Sequence, residues 1–255
     1  MDPGRDLGIG GKVAIVTGGG RGIGLAAARL LARWGSDVIV ADIDPEAGGA
    51  AVAEIGATGG TATHVGLDAC DESAVARRFE EIAAGRGRID ILVNAVGGGE
   101  PASLQEISGV AWDRMVAFNA RSCFLCAREA ARHMAKTGGG RIVNVSSLAG
   151  VTCSPLQGAH YSAAKAAVIG LTRHLARELG PLGITVNATA PGATLTERIA
   201  RRISQELAAE FAARIPLRRL ATPEDQAGAI LFLASSLAGY VTGVTIDVSG
   251  GILLS

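Results

Sequence analysis

Short, almost continuously apolar runs alternate along this chain with longer stretches in which apolar residues return every three or four positions. The runs are KVAIVTG, DVIVADI, ATHVGL, DILVNAV, RIVNVSS, ITVNATA and VTIDVSG. A strand covered on both faces loses the in-and-out alternation of a half-buried one, so such runs mark a parallel sheet packed between helices. Between them, LAAARLLARWG, ESAVARRFEEIAAG and VIGLTRHLARELG carry the 3.6-residue period of amphipathic helices. Strand, helix and strand in repetition predict a doubly wound α/β fold: a seven-stranded, mainly parallel sheet flanked by helices, with right-handed crossovers. No Pro/Ser linker, low-complexity tract or internal repeat interrupts the pattern. Residues 1–255 are therefore expected to form a single domain.

Composition narrows the classes. Hydrophobic residues make up 48% of the 255, which excludes a disordered chain. Lys+Arg and Asp+Glu both total 24, so the net charge is zero and no electrostatic footprint for nucleic acid or an anionic membrane is present. The start, MDPGRDLGIGGK, lacks the basic and apolar regions of a secretory signal, and no apolar run reaches the ~20 residues of a membrane span. A cytoplasmic protein is expected. The four cysteines do not suggest a disulfide framework in a chain this long. Cys123 and Cys126 form a CxxC in RSCFLCAREAARHM, which reads as helix, with both sulfurs on an apolar stripe beside Phe124 or Ala130. No second CxxC or nearby His pair completes a zinc set, so packing is expected there rather than metal binding. The 36 glycines, about double the usual share, point to tight turns or to backbone brought close to a ligand.

In a doubly wound sheet, ligands bind outside the carboxyl ends of the strands, at the point where strand order reverses. The residues just after each run are thus the ones to inspect. The first run ends in TGGGRGIGLAAA, a glycine loop between a strand and an Ala-rich helix. Gly18, Arg21, Gly22, Ile23 and Gly24 would hold a dinucleotide pyrophosphate with backbone N–H groups and the helix dipole. The second run ends in Asp42, eighteen residues beyond Gly24, where a carboxylate accepts from the ribose hydroxyls of an adenosine and repels a 2′-phosphate. Asp44, just before Pro45, suits a helix cap better. Arg21 pulls the other way, since a guanidinium in the loop favours a 2′-phosphate; the carboxylate is weighted more, and NAD is expected.

The chain has three lysines and two tyrosines, and Tyr161 and Lys165 stand four residues apart in YSAAK. At i and i+4 on a helix, phenol and ammonium share a face. A free tyrosine has a pKa of about 10, and bringing it near 7 takes about 4 kcal/mol, which a close cation in a semi-buried site supplies. Lysine suits this better than arginine because its compact charge also donates to a ribose hydroxyl. A hydroxyl such as Ser147 would polarise a carbonyl or alkoxide while Tyr161 trades the proton.

Together these motifs resemble the classical short-chain dehydrogenases/reductases over essentially the whole chain. TGGGRGIG (Thr17–Gly24) looks like their TGxxxGxG loop, and YSAAK (Tyr161–Lys165) like their YxxxK. DAC, from Asp68 through Ala69 to Cys70, matches the segment that meets the adenine. APGATLT resembles the segment that meets the nicotinamide, which assigns Pro191, Gly192, Thr194 and Thr196 to the cofactor. TGVTIDVSGG looks like the family's last strand, and Asn119 in AFNARSCF stands where the family keeps a catalytic Asn. The resemblance implies a Rossmann fold and an NAD-dependent oxidoreductase that interconverts a secondary alcohol and a ketone. Ser147, Tyr161, Lys165 and Asn119 would be catalytic, no metal would be involved, and the chain would assemble as a homotetramer.

Three positions depart from the family. NNAG is NAVG here, leaving Asn94, an expected cofactor contact, beside Ala95 and threatening a sheet-stabilising contact. The loop before Tyr161 is one residue longer than common, so Ser146 competes with Ser147 for the catalytic register. Thr194 replaces the usual Val or Ile. Two other functions fit part of the pattern: an NAD(H)-binding sensor or scaffold without turnover, and a Rossmann-type methyltransferase, which would have no use for Tyr161 with Lys165. Substrate identity is not legible. The Arg-rich segment around Thr196–Pro216 reads as a solvated lid, with an anionic substrate as the lesser reading.

Overall fold

The computed structural model describes residues 7–201 and 203–254. All seven runs are strands: β1 (Val13–Thr17), β2 (Asp37–Asp42), β3 (Thr61–Gly66), β4 (Ile91–Asn94), β5 (Gly140–Val145), β6 (Ile184–Pro191) and β7 (Thr245–Val248). They lie in one sheet of order β3-β2-β1-β4-β5-β6-β7, and every neighbouring pair is parallel. The sheet is thus wholly parallel rather than mainly so.

The helices are α1 (Gly22–Arg33), α2 (Pro45–Ala57), α3 (Glu72–Arg86), α4 (Gly109–Val116), α5 (Ser122–Met134), the one-turn α6 (Leu148–Val151) and α7 (Ala159–Leu179). After β6 come the one-turn α8 (Glu197–Ala200), then α9 (Gln205–Arg214) and α10 (Pro223–Ala234). Asp44 caps a helix as its place before Pro45 predicts, and further caps are seen on other helices. Asp44 accepts from the N–H groups of Glu46 and Ala47 at the start of α2, and Asp71 from those of Ser73 and Ala74 at the start of α3. Thr222 and Asp225 form a reciprocal capping box on α10.

Two apolar layers hold the sheet. Alternate residues of β1 divide between them: Val13 and Ile15 pack with Phe79, Leu125 and Ile142, while Ala14 and Val16 pack with Leu31, Ile230 and Leu233. This division is why the strands are apolar at every position. Asp42 and Asn94 end their strands at the same edge as the loop after β1, so the chemistry collects at the β1/β4 reversal of strand order. No helix among the described residues is long and apolar enough to cross a membrane.

Candidate active site

The glycine loop is built by close approach. Gly18 has φ 63°, in the left-handed region, and donates its N–H to the Ala41 carbonyl at 2.8 Å. A Cβ on Gly18 would lie 3.1 Å from the backbone nitrogen of Val96, so the loops after β1 and β4 touch here. A Cβ on Gly24 would collide with the Gly18 carbonyl, which fixes how tightly α1 turns back on the strand. Such a cradle of bare backbone at a helix N-terminus fits a pyrophosphate. A cavity of about 480 Å³ flanks the loop, lined by Gly20, Arg21, Gly22 and Ala47 among others. Ile23 stands in the first turn of α1 and packs against the core layer beneath it.

Asp42 ends β2 with its carboxylate facing the loop: it accepts from the N–H of Gly20 at 2.9 Å and of Asp44 at 3.0 Å. Arg21 does not contest that position. Its guanidinium bonds Asp44 at 2.6 Å, so the carboxylate that caps α2 also holds the rival cation. Both partners are well exposed, and such surface pairs contribute at most about 1 kcal/mol.

Asp68 follows β3 and accepts from the Cys70 N–H at 2.9 Å, while Ala69 is buried in the core layer below. Asn94 uses its side chain internally, donating to the Asn144 side-chain oxygen at 2.9 Å. Asn144 in turn donates to Thr172 at 2.9 Å. β4, β5 and α7 are thus tied together with Ala at position 95, while Asn94 Oδ1 is buried without a partner among the described residues. Pro191 closes β6, and Gly192 follows with room for no side chain, since a Cβ there would lie 2.9 Å from Ser249. The Thr194 hydroxyl is held by Gln226 at 3.1 Å, leaving backbone as what Thr194 offers the cleft. Thr196 caps α8, and its methyl lies 3.4 Å from a Cβ built on Gly22, so this segment closes over the glycine loop.

The long α4–α5 segment is not one regular helix. Residues Ala117–Arg121 form a π turn that interrupts it at Asn119, a deviation that periodicity does not signal. The buried Asn119 amide donates to the Gly98 and Met115 carbonyls, each at 3.0 Å, and accepts from the Gly98 N–H at 3.0 Å. A Cβ on Gly97 would lie 2.7 Å from both Asn119 Oδ1 and Lys165 Nζ. Asn119 and Lys165 thus face each other across a position that only glycine leaves open.

The two serines separate cleanly. Ser146 is buried and donates to the Lys165 carbonyl at 2.8 Å, a strut between β5 and α7. Ser147 caps α6, accepts from the Ala149 N–H at 3.1 Å, and favours the ionised form of the Tyr161 phenol. Tyr161 and Lys165 share a face of α7 as spaced, with Nζ 5.9 Å from the ring centroid. Lys165 is 4% exposed and donates to the Val145 carbonyl at 2.9 Å.

Burial pushes the Tyr161 phenol up, opposed by Ser147 and by the Arg198 charge. Burial also brings Lys165 down to about 8, because an ammonium stripped of water is costly. Sequence reasoning did not single out Arg198, whose guanidinium overlies the Gly98 backbone. Its signal was present only as one arginine among several in the lid. Elsewhere, Cys123 and Cys126 are buried, and burial raises both thiols, Cys123 to about 12, as packing residues require. Phe124 faces outward at 42% exposure, so the buried stripe runs along Ala130 instead.

Comparison with known proteins agrees with this layout. The family model described as Enoyl-(Acyl carrier protein) reductase matches residues 18–253. The chain belongs to the short-chain dehydrogenase/reductase family. It is 42% identical over 241 residues to a cis-4-hydroxycyclohexanecarboxylate dehydrogenase of Sinomonas cyclohexanicum, covering 94% of this chain and 96% of that one. It is 40% identical over 242 residues to the 3-oxoacyl-[acyl-carrier-protein] reductase FabG of Aquifex aeolicus, with 94% and 97% covered. A 7α-hydroxysteroid dehydrogenase solved with NADH and 7-oxo glycochenodeoxycholic acid superposes with a TM-score of 0.92 at 36% identity, covering 98% of this chain and 96% of that one. The protein is an oxidoreductase of the nicotinamide-binding type, acting on a small molecule. These relatives do not favour the methyltransferase reading.

Proposed function

We propose that residues 1–255 act as one catalytic domain that interconverts a secondary alcohol and a ketone with NAD. The observation that carries the reading is the convergence of Ser147, Tyr161, Lys165 and Asn119 beside the loops after β1 and β4. When bound, the nicotinamide supplies the hydride acceptor. Gly18, Arg21, Gly22, Ile23 and Gly24 would hold the pyrophosphate, Asp42 the adenosine ribose, and Asp68 with Ala69 the adenine. The backbones of Asn94, Pro191, Gly192 and Thr194, with Thr196, would line the nicotinamide end.

In oxidation, Ser147 would donate to the substrate oxygen and Tyr161, as phenolate, would take the hydroxyl proton, while the carbinol hydrogen would leave as hydride to the bound nicotinamide. Reduction reverses each transfer. Lys165, close to neutral-range titration, orients toward ribose and phenol, and its charge stabilises the phenolate once the cleft is filled and water excluded. Asn119 retains one acceptor lone pair opposite Lys165, where a proton path to solvent would begin. The secondary alcohols named in the hydroxycyclohexanecarboxylate and hydroxysteroid relatives support this reaction class, and 4-hydroxycyclohexanecarboxylate is the first substrate to assay. Four partly exposed apolar residues on α4, the π turn and α5, Val110, Trp112, Phe118 and Phe124, support a face for homotetramer assembly.

The serine register is tested by two variants. Ser147→Ala is expected to lower kcat by about 10²–10³, the weight of one donor to a developing oxyanion. Ser146→Ala should instead lower the melting temperature through its lost strut, worth about 1 kcal/mol, with far less effect on kcat. The opposite ranking in steady-state kinetics would move the catalytic role to Ser146.

Cofactor choice tests the role of Asp42. A carboxylate facing a 2′-phosphate suffers repulsion and forgoes charge-assisted hydrogen bonds of ~1.5–3 kcal/mol each. NAD should therefore exceed NADP by about 10- to 100-fold in kcat/KM, equivalent to ~1.4–2.8 kcal/mol. Asp42→Ser should narrow that gap, since Arg21 leaves only an exposed pair with Asp44 to meet a phosphate. A wild-type preference for NADP would show that Asp42 does not face the ribose.

A further inference from the structure

Arg198 sits at the second position of α8, directly after the segment that closes over the glycine loop. The lid's other described arginines are occupied: Arg201 pairs with Glu197, Arg214 with Glu210, Arg219 with Asp225, and Arg218 donates to the Ala213 carbonyl. Arg198 pairs with no carboxylate among the described residues. Its guanidinium turns inward instead, so that a Cβ on Gly98 would collide with it. The next residue meets the Tyr161 ring: a Cβ on Gly99 would lie 2.8 Å from Tyr161 Cγ and 2.7 Å from Gln157 Oε1. Guanidinium, phenol and amide therefore line consecutive residues of one glycine stretch. The charge reaches the chemistry, since Arg198 acts to lower both Tyr161 and Lys165.

The surrounding acids do not balance this charge. Glu197 is bound to Arg201, and Glu100, just past the glycine stretch, bonds Arg114 at 2.8 Å. Two cations, Lys165 and Arg198, then face the same cleft. The glycine loop Gly18–Gly24 borders the same segment and has Arg21 of its own, so the cofactor phosphates are the anion that competes for Arg198. Gln157 Oε1 is buried and without a partner among the described residues; turning its amide would present the NH₂ to an acceptor instead.

We propose that Arg198 is the specificity-determining residue of this site and that it binds a carboxylate on the substrate, making the preferred substrate a secondary alcohol or ketone that carries an acid group. The proposal rests on the oxidoreductase reading above and names its substrate class. A planar guanidinium matches a carboxylate in two parallel hydrogen bonds, and methionine or lysine in its place does not.

The test compares 4-hydroxycyclohexanecarboxylate with its primary carboxamide, which keeps the reacting carbinol and removes the charge. Wild-type kcat/KM should favour the acid, and Arg198→Met should reduce the acid-to-amide ratio by about 10- to 100-fold, the weight of a charge-assisted bond. Arg198→Lys should recover part of it. An unchanged ratio would overturn the proposal, as would a loss shared equally by both substrates with weaker cofactor binding, which would assign Arg198 to the cofactor phosphates. Calorimetric titration of the NAD-saturated protein with cyclohexanecarboxylate, which has no hydroxyl to oxidise, gives a readout free of turnover. Binding there that weakens at least tenfold in Arg198→Met supports the carboxylate site even if no alcohol is oxidised, an outcome that would sink only the oxidoreductase mechanism. Equal binding by wild type and variant would overturn the carboxylate site.

Discussion

Tyr161→Phe is expected to lower kcat by about 10²–10⁴ while leaving the cofactor dissociation constant within a few-fold of wild type. The phenol is the group placed to exchange a proton with the substrate oxygen, and a positioned acid/base is worth that factor. Phenylalanine keeps the ring that packs over the Gly99 backbone, so the glycine stretch and α7 retain their contacts. What disappears is the phenolic hydroxyl, whose ionised form Ser147 favours. Steady-state rates with a saturating secondary alcohol, together with a fluorescence titration of cofactor, check the two halves separately. Near-normal turnover by this variant would remove Tyr161 from the chemistry.

Lys165→Arg should be nearly as damaging, at least about 10²-fold in kcat/KM, although the charge is kept. The lysine is 4% exposed, its ammonium is bonded to the Val145 carbonyl at 2.9 Å, and it approaches the bare backbone of Gly97. A guanidinium is larger and planar, and cannot replace a compact three-proton donor in that space. It also holds its proton far above neutrality, whereas burial brings Lys165 to about 8. Wild-type activity therefore has a reason to change with pH around the lysine's titration. The arginine variant lacks that limb, so pH profiles of kcat/KM distinguish loss of the proton donor from mere misfolding, and the melting temperature controls for the latter. Full activity in Lys165→Arg would mean that a fixed positive charge suffices.

The strands were legible because each is apolar on both faces, and the site because family-like motifs stand at the strand ends. Asp42 and the helix-capping Asp44 could be told apart in the sequence by Pro45. What the sequence did not reveal depends on partners distant along the chain. The pairing of Arg21 with Asp44 joins residues 23 positions apart, which the two residue types do not signal. The bond from Ser146 to the Lys165 carbonyl, which separates its surroundings from those of Ser147, spans 19 residues. The upward shift of Tyr161 could not be read from its spacing to Lys165, because desolvation depends on what covers both groups. The π turn at Asn119 left no mark on the hydrophobic period, and Arg198 looked like its solvated neighbours until its side chain was seen to turn toward Gly98.

The central claim is direct transfer of hydrogen from a carbinol carbon to a nicotinamide, with Tyr161 taking the hydroxyl proton. Its most direct test is to supply wild-type protein with NAD and 4-hydroxycyclohexanecarboxylate deuterated at the carbinol carbon, and to measure the mass of the reduced cofactor. The account predicts reduced cofactor one mass unit heavier than from the unlabelled substrate, formed together with the ketone in equal amount. Reduced cofactor carrying no deuterium, or ketone formed without it, would contradict the account.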